Sequence, residues 1–332
     1  MNRLLTFISF YVLCIINPCT GKEIDEEPLL RLGLIGLDTS HVIAFTSRLN
    51  EPDSPNHIPG ARVIAAFKGG SDDIESSRTR VEGYTKTLVE KYGVKIYGDI
   101  SKLCKDVDAI LLTSLDGRPH LSQVRPVIEA KLPVFVDKPV AGSLKDAVEI
   151  FRLAREANVP CFSSSSLRWY PGVVEVANAD VGQLKSAISY GPAPAEPHHP
   201  DLFWYGIHPT ESLFTVMGPG CESVTRTSTD DTIVVTGIWK DGKVGTLHGI
   251  ASGQTGYKVT AFGTKAIAEQ KSGGDYTPML REIIRFFKTG KPPVTPEVTL
   301  EIYAFMEAAD ESKRRGGLPV KISEVLKKAG LK

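Results

Sequence analysis

The sequence predicts an α/β protein in which a doubly wound parallel sheet is followed by a second α/β unit with a mostly antiparallel, open sheet. Up to about residue 165, short apolar runs alternate with segments of helical periodicity, which is typical of a parallel sheet with right-handed crossovers. The pattern changes after about Pro171, and from Gln183 strand-like runs are separated by turns. The length of 332 residues suits two domains of moderate size. We predict these domains at 28–165 and 166–332, with the last helices packing back on the first domain.

The composition is that of a globular protein with no net charge. Basic and acidic side chains number 39 each, 42% of the residues are apolar and 23% are charged, which excludes the disordered and fibrous classes. Without clustered Lys and Arg, nucleic acid is excluded as a partner. No later stretch of sequence is long and apolar enough for a membrane span. An exposed antiparallel sheet face would suit a homodimer or a higher homo-oligomer.

The N-terminus has the pattern of a secretory signal peptide. Arg3 is followed by an apolar run at 4–16, which is shorter than the roughly 20 residues that a spanning helix needs. We therefore expect a signal at 1–21, cleaved near Gly21, and an exported protein, either periplasmic or extracellular. A buried N-terminal helix and lipid attachment at Cys19 are the alternatives, and the residues before Cys19 are poor ones for lipidation.

In the first unit, six strands are predicted to alternate with four helices. The unbroken apolar run at 109–112 indicates a strand that is covered on both faces, and Ser143 is the predicted cap of the fourth helix. The strands are expected at 31–35, 62–67, 94–97, 109–112, 134–136 and 159–164, and the helices at 40–50, 76–92, 121–130 and 143–157.

In the second unit, five strand-like runs precede two helices. The pair around Asp241 and Gly242 has the signature of a hairpin. The strands are expected at 184–190, 223–228, 232–239, 244–250 and 258–262, and the closing helices at 278–289 and 296–315.

The loop after the first strand is a partial dinucleotide fingerprint. Ligands of such sheets bind outside the carboxyl ends of the strands, and the fingerprint would place glycine at 36, 38 and 41, of which only Gly36 is present. Asp38 puts a carboxylate where a pyrophosphate is expected, unless it caps the following helix, which we favour. Thr39, Ser40 and the free N–H groups of the first helical turn are candidates for binding phosphate.

The loop after the second strand favours NADP over NAD, if a dinucleotide binds. An acidic residue at this strand end would bind the adenosine ribose of NAD, but Lys68 stands there, followed by two glycines and Ser71. Lys68 and Ser71 would suit a 2′-phosphate. A solvated glycine turn is an equally good interpretation.

The loops after the fourth and fifth strands carry the best catalytic candidate. Lys138 stands at the carboxyl end of a buried strand, where a purely structural lysine would be costly. Asp137 is expected to pair with Lys138 or to bind a ligand hydroxyl, and Pro139 holds Lys138 in extended geometry. In the fourth loop, Ser114 and His120 are candidates for cofactor binding.

The remaining candidates lie where the chain enters and crosses the second unit. Arg168 could hold either an anionic ligand or an interface carboxylate. His208 and Glu211 are three residues apart and share one helical face, so Glu211 is expected to orient the imidazole. Trp204 and Tyr205 could stack on a sugar ring. No cysteine has the spacing of a zinc site, so no metal is expected.

Taken together, these residues resemble the Gfo/Idh/MocA family, named after glucose–fructose oxidoreductase and inositol dehydrogenase. The resemblance covers nearly the whole chain after the signal. Its most specific parts are Lys138 with Pro139, which match the family's Glu-Lys-Pro, and the later Gly206-x-His208 element. The resemblance implies a Rossmann domain, a second domain whose sheet often forms dimer contacts, and hydride transfer between NAD(P) and a hydroxyl carbon of a sugar or cyclitol. It also implies that Lys138 polarises the reacting oxygen and that His208 is the general acid/base.

Three departures from the family pattern leave alternatives open. Asp38 and His41 replace two fingerprint glycines, Trp204 replaces an acid four residues before the histidine, and Lys68 replaces the acid after the second strand. An exported protein would also have to retain its cofactor tightly. The alternatives are a glycosidase or epimerase-like enzyme that recycles NAD, and a non-catalytic carbohydrate-binding relative that has lost the dinucleotide.

Overall fold

The first sheet has six strands, all parallel, which confirms the first half of the predicted fold class. The computed structural model describes residues 28–331, so the predicted signal at 1–21 lies outside the described residues. The strand order is β3-β2-β1-β4-β5-β6, and the direction of winding therefore reverses between β1 and β4, where such sheets bind ligands. The strands are β1 (Leu30–Ile35), β2 (Ala61–Phe67), β3 (Lys95–Tyr97), β4 (Ala109–Leu112), β5 (Val134–Val136) and β6 (Cys161–Phe162).

Six helices accompany these strands, and one predicted helix is wrong. The segment 76–92 is two helices rather than one, because the Ser77 side chain donates a hydrogen bond to Asp38 and accepts one from the N–H of Ser71. These tertiary hydrogen bonds hold the first turn as a helix of its own, and the spacing of apolar residues gives no sign of them. The helices are α1 (Ser40–Asn50), α2 (Glu75–Arg78), α3 (Val81–Tyr92), α4 (Ile100–Leu103), α5 (His120–Glu129) and α6 (Leu144–Glu156).

The second sheet has seven strands in the order β12-β11-β7-β10-β9-β8-β13. Every pairing is antiparallel except that of β7 with β10. One face leaves Ile188, Tyr190 and Ile238 more than a third exposed; the predicted homo-oligomer stays a prediction. The strands are β7 (Leu184–Pro192), β8 (Cys221–Ser228), β9 (Thr232–Trp239), β10 (Val244–Ile250), β11 (Lys258–Gly263), β12 (Ile267–Glu269) and β13 (Val320–Lys321).

Five further helices follow β6. They are α7 (Pro171–Asn178), α8 (Ile207–Met217), α9 (Thr277–Thr289), α10 (Pro296–Arg314) and α11 (Ile322–Lys328). Helix α10 contacts both units because it packs on β8 and on α6. The apolar face of α9 packs on the first sheet, where the rings of Phe286 and Phe162 lie 4.7 Å apart. Within residues 28–331, no helix combines the length and the apolar character of a membrane span.

Gly36 is the fingerprint glycine that the fold itself requires. Its φ is +86°, and a Cβ there would lie 2.1 Å from Ser114 Oγ. Gly93 has φ +66° with open space around it. We expect Gly36→Ala to lower the free energy of unfolding by about 3 kcal/mol and Gly93→Ala by about 1 kcal/mol, because only the first adds a clash to the backbone strain. Urea unfolding of both variants measures the difference, and equal losses would contradict the close contact with Ser114.

Candidate active site

A buried lysine lies at the carboxyl end of β5. Lys138 is 7% exposed, and among residues 28–331 its Nζ has neither a hydrogen bond nor an ion pair. The ammonium lies 5.7 Å from the centre of the Tyr205 ring. Burying an ammonium without hydrogen-bond acceptors is unfavourable, so this group is poised to meet an acceptor on a ligand.

The second unit places a histidine beside the same tyrosine ring. His208 is in the first turn of α8, and its ring centre lies 5.8 Å from that of Tyr205 and 6.0 Å from that of Tyr257. The His208 Nδ1 is 2.7 Å from Ser165 Oγ. Burial, together with the charges of Lys138 and His41, lowers the pKa of His208 well below its ordinary value. The imidazole is therefore neutral near pH 7.

The predicted partner of His208 is wrong. Glu211 does not orient the imidazole: its Oε1 accepts hydrogen bonds from Ser164 Oγ at 2.9 Å and from Arg168 Nε at 2.7 Å. Both side chains face the segment after β6, which supplies Ser165 to His208 and Arg168 to Glu211. The outer nitrogen Nη2 of Arg168 is buried and has no partner within the described part of the chain, so one guanidinium donor stays free.

Asp137 pairs with His41 rather than with the Lys138 ammonium. Its Oδ2 is hydrogen-bonded to His41 Nδ1, and its Oδ1 accepts from the backbone N–H of Lys138. Burial opposes the ionisation of Asp137, but the charges of His41 and Lys138 and these bonds outweigh it and keep the Asp137 pKa below its ordinary value. The His41 ring packs against Phe45 and Tyr276, which accommodates a large side chain where the fingerprint has its third glycine.

Asp38 is not the cap of α1. That position is taken by Thr39, whose Oγ1 accepts from the N–H of His41. The Asp38 carboxylate is wholly buried and accepts from Leu115 N at 2.9 Å and from Ser77 Oγ at 2.6 Å. Asp38 therefore connects the loop after β4 with helix α2, which follows β2.

Polar side chains also join the loop after β2 to the loop after β4. Ser71 Oγ donates to Asp116 at 2.7 Å, Arg118 donates to both carboxylate oxygens of Asp73 at 2.8 Å, and His199 Nε2 is 3.1 Å from Asp116. We call these five residues the bridge. Burial raises the pKa of Asp116, but the hydrogen bonds from His199, Arg118 and Ser71 lower it more, so the carboxylate is ionised.

The adenosine half of a dinucleotide does not fit this arrangement while the bridge is closed. Because β1 lies between β2 and β4, bonds from the β2 loop to the β4 loop cross the end of β1, where the pyrophosphate of a dinucleotide would lie. Asp38 and Asp116 are 0% and 2% exposed there. Arg118 offsets the charge of Asp116 at 2.7 Å, whereas the Asp38 carboxylate accepts only from neutral donors and would repel phosphate. The opposite half of the crevice has the donors of Lys138 and Arg168 instead.

Several other candidates are engaged in contacts of their own. Lys68 pairs with Glu82, Ser114 Oγ donates to Gln123 at 2.8 Å, and His120 is fully buried with Nε2 2.9 Å from the carbonyl oxygen of Ser114. Their predicted roles in cofactor binding stay predictions, as do those of Gly36, Thr39, Ser40 and Ser71.

Sequence reasoning did not select several residues of the site. The serine run after β6 offered a signal for Ser165, but Tyr257 and Tyr276 stand in loops without a motif, and His199 reaches Asp116 across 83 positions in the chain. Trp204, predicted to stack on substrate, packs instead against the His199 ring at 5.0 Å and beside Ile74 and Leu115.

Solved structures with this fold come from several bacteria. A probable dehydrogenase from Thermotoga maritima is 23% identical, with a TM-score of 0.74 over 89% of this chain and 100% of that one. An apo scyllo-inositol dehydrogenase from Lactobacillus casei is 14% identical, with a TM-score of 0.73 over 90% and 99%. A myo-inositol dehydrogenase from the same organism, in complex with NAD(H) and myo-inositol, is 17% identical, with a TM-score of 0.69 over 88% and 96%.

The family model that matches is described as an oxidoreductase family with an NAD-binding Rossmann fold, and it covers residues 62–165. No curated protein matches the chain at a significant level. The matched segment runs from β2 to the serines that follow β6 and so includes Lys138. With this match and the shared two-sheet fold, the predicted resemblance to the Gfo/Idh/MocA oxidoreductase family is confirmed, and it is carried at the sequence level by residues 62–165.

Proposed function

We propose that this protein is an oxidoreductase that acts on a sugar, a cyclitol or a related polyol, with NAD(P) as its class of cofactor. The observation that carries the proposal is that a buried Lys138 ammonium, with no hydrogen bond or ion pair among residues 28–331, and a neutral His208 both lie beside the Tyr205 ring. The family model and the named ligand of the Lactobacillus casei myo-inositol dehydrogenase support the substrate class.

Lys138 acts on the oxygen of the reacting hydroxyl, and His208 acts on its proton. The ammonium donates to the hydroxyl oxygen and stabilises negative charge that develops there. The neutral imidazole accepts the hydroxyl proton at Nε2, which requires the tautomer whose Nδ1–H donates to Ser165 Oγ, 2.7 Å away. Ser165 Oγ also accepts from the N–H of Leu167, so the serine is fixed before substrate arrives. Ser165 is thus a positioning residue for His208.

The remaining side chains around the pair suit a polyol. Tyr205 and Tyr257 present ring faces against which the C–H groups of a sugar or cyclitol could pack. The free Nη2 of Arg168 is a donor for a further hydroxyl or a carboxylate. The aromatic role that we predicted for Trp204 and Tyr205 together is therefore assigned to Tyr205 and Tyr257.

A substrate panel tests the proposal. Purified protein is incubated with inositols, aldoses, uronates and amino sugars and a large excess of NAD⁺ or NADP⁺, and nicotinamide absorbance is followed. We expect reduction of the cofactor with at least one polyol. The same polyol should raise the melting temperature. Neither absorbance change nor thermal stabilisation with any polyol would overturn the proposal.

Ser165→Ala is expected to lower kcat by about tenfold with little change in KM, because a misoriented base impairs proton transfer more than binding. The acid limb of the pH profile should also shift, since the imidazole loses a hydrogen bond. Ser122→Ala is the matched control, because Ser122 is an exposed serine on α5. A purely structural Ser165 would lower stability and leave the pH profile unchanged.

A non-catalytic carbohydrate-binding protein is the second candidate, and the bridge across the end of β1 is the observation that favours it. It predicts polyol binding without turnover in the parent protein. Polyol affinity would then survive in Lys138→Ala and His208→Ala, whereas the enzyme proposal predicts that these variants lose turnover.

We also propose that the first 21 residues are a signal that is removed on export. The Arg3 start, the apolar run at 4–16 and the small residues that follow support this proposal. The intact mass of the protein isolated from its own host should lack this segment. Recovery of the full-length mass would overturn export by cleavage.

A further inference from the structure

We propose that Asp38 and the bridge are a cofactor-exclusion element, which keeps the adenosine half of a free dinucleotide out of the crevice until the bridge opens. The inference rests on the proposed function only in taking NAD(P) as the cofactor class. It makes Asp38 a specificity-determining residue at the second position of the glycine fingerprint.

The topology gives the first argument. The bridge extends from Ser71 and Asp73 after β2 to Asp116 and Arg118 after β4, and it crosses the end of the intervening β1. A dinucleotide that lies along the carboxyl ends of these strands must pass the same point. It can do so only if the two loops separate.

One residue of the bridge, His199, comes from the second unit. The side chain of His199 is completely buried between Asp116 and Glu196, at 3.1 and 2.9 Å. Burial lowers the pKa of His199, but the hydrogen bonds to both carboxylates raise it more, so that the net shift is upward. The contact between His199 Nε2 and Asp116 therefore ties the loop after β4 to the second unit.

Charge gives the second argument. The donors to Asp38 are the hydroxyl of Ser77 and the N–H of Leu115, which are both neutral, so among residues 28–331 no cation is bonded to this carboxylate. A glycine at 38 would remove the negative charge and would also free the two donors, which could then face a phosphate. One side chain therefore both repels a pyrophosphate and occupies the groups that could bind it.

The experiment separates the two halves of the cofactor. Binding of ADP-ribose, of NADH and of nicotinamide mononucleotide is measured calorimetrically on the wild-type protein, Asp38→Gly, Arg118→Ala and Asp72→Gly. Asp72 is an exposed aspartate in the same loop as Ser71 and Asp73, so its variant is a matched control. Arg118 is partly exposed, and its variant tests the bridge if the Asp38 variant does not fold.

We expect ADP-ribose and NADH to bind at least tenfold more tightly to Asp38→Gly and to Arg118→Ala than to the wild-type protein. Nicotinamide mononucleotide should bind all four proteins alike, and Asp72→Gly should behave as wild type. Wild-type binding of ADP-ribose as tight as that of both variants would overturn the exclusion. The rise in melting temperature with polyol and without nucleotide tests the proposed function separately. Failure of one proposal is therefore distinguishable from failure of the other.

Discussion

Lys138→Ala is expected to lower kcat/KM for the responding polyol by on the order of 10³-fold, because a donor to the charge that develops on the reacting oxygen is lost. The ammonium is 7% exposed and unpartnered within the described residues, so its removal leaves no broken ion pair. The melting temperature should therefore stay near that of the wild-type protein or rise. Steady-state kinetics and a thermal melt on the same preparation measure both.

Lys145→Ala is the matched control for this prediction. Lys145 is exposed on α6, seven residues after Lys138, and its removal should leave both activity and stability unchanged. Arginine at 138 retains the charge but not the compact ammonium, so it should restore only a small part of the activity. Full activity in Lys138→Ala would show that Lys138 takes no part in the reaction.

The pH dependence of His208 is the second large effect. Its pKa lies well below the ordinary 6.5, so the imidazole is neutral above that pH and gains a proton only in more acidic solution. Because the neutral form accepts the hydroxyl proton, kcat/KM should be constant near neutrality and fall on acidification, with the limb below pH 6.5. His208→Gln should lower kcat/KM on the order of 10²-fold or more and abolish this limb.

The charge of Lys138 contributes to the low pKa of His208. Lys138→Met removes that charge, so the His208 pKa should rise toward its ordinary value, which an NMR titration of the imidazole measures without any turnover. His248→Gln is the control for the His208 variant, because His248 is exposed on β10 and should leave the acid limb in place. An unmoved His208 pKa in Lys138→Met would mean that the two groups are not electrostatically coupled.

Local pattern was a reliable guide to the elements that are built from nearby residues. The helix predicted at 40–50 is α1, Ser143 caps α6 through a bond to the N–H of Asp146, and the hairpin at Asp241-Gly242 joins β9 to β10. Each of these features depends on side chains within a few positions of one another. The short helix α7 is also built from nearby residues. Its valines, however, do not distinguish a helix from a strand.

Partners that are distant in sequence were predicted less well. Glu211 and His208 do share one helical face, but the neighbours of that face come from the segment after β6, which gives Arg168 to the glutamate and Ser165 to the histidine. Aspartate is a common helix-capping residue, yet the Asp38 carboxylate accepts a hydrogen bond from the N–H of Leu115, which is 77 positions away in the chain. No local periodicity carries that information.

By itself, the sequence determined the alternation of strands and helices in the first unit, the parallel sheet with Gly36 at its first turn, and the placement of Lys138 at a strand end, since each follows from hydrophobic period and turn chemistry. It did not predict the short elements α4, α7, α11, β12 and β13. Only the tertiary structure decided that Lys138 and His208 meet at Tyr205, and that carboxylates cross the end of β1 where a pyrophosphate would lie. These outcomes depend on which loops the sheet order makes neighbours and on how buried charges find hydrogen-bond partners there, and both are properties of the packed chain.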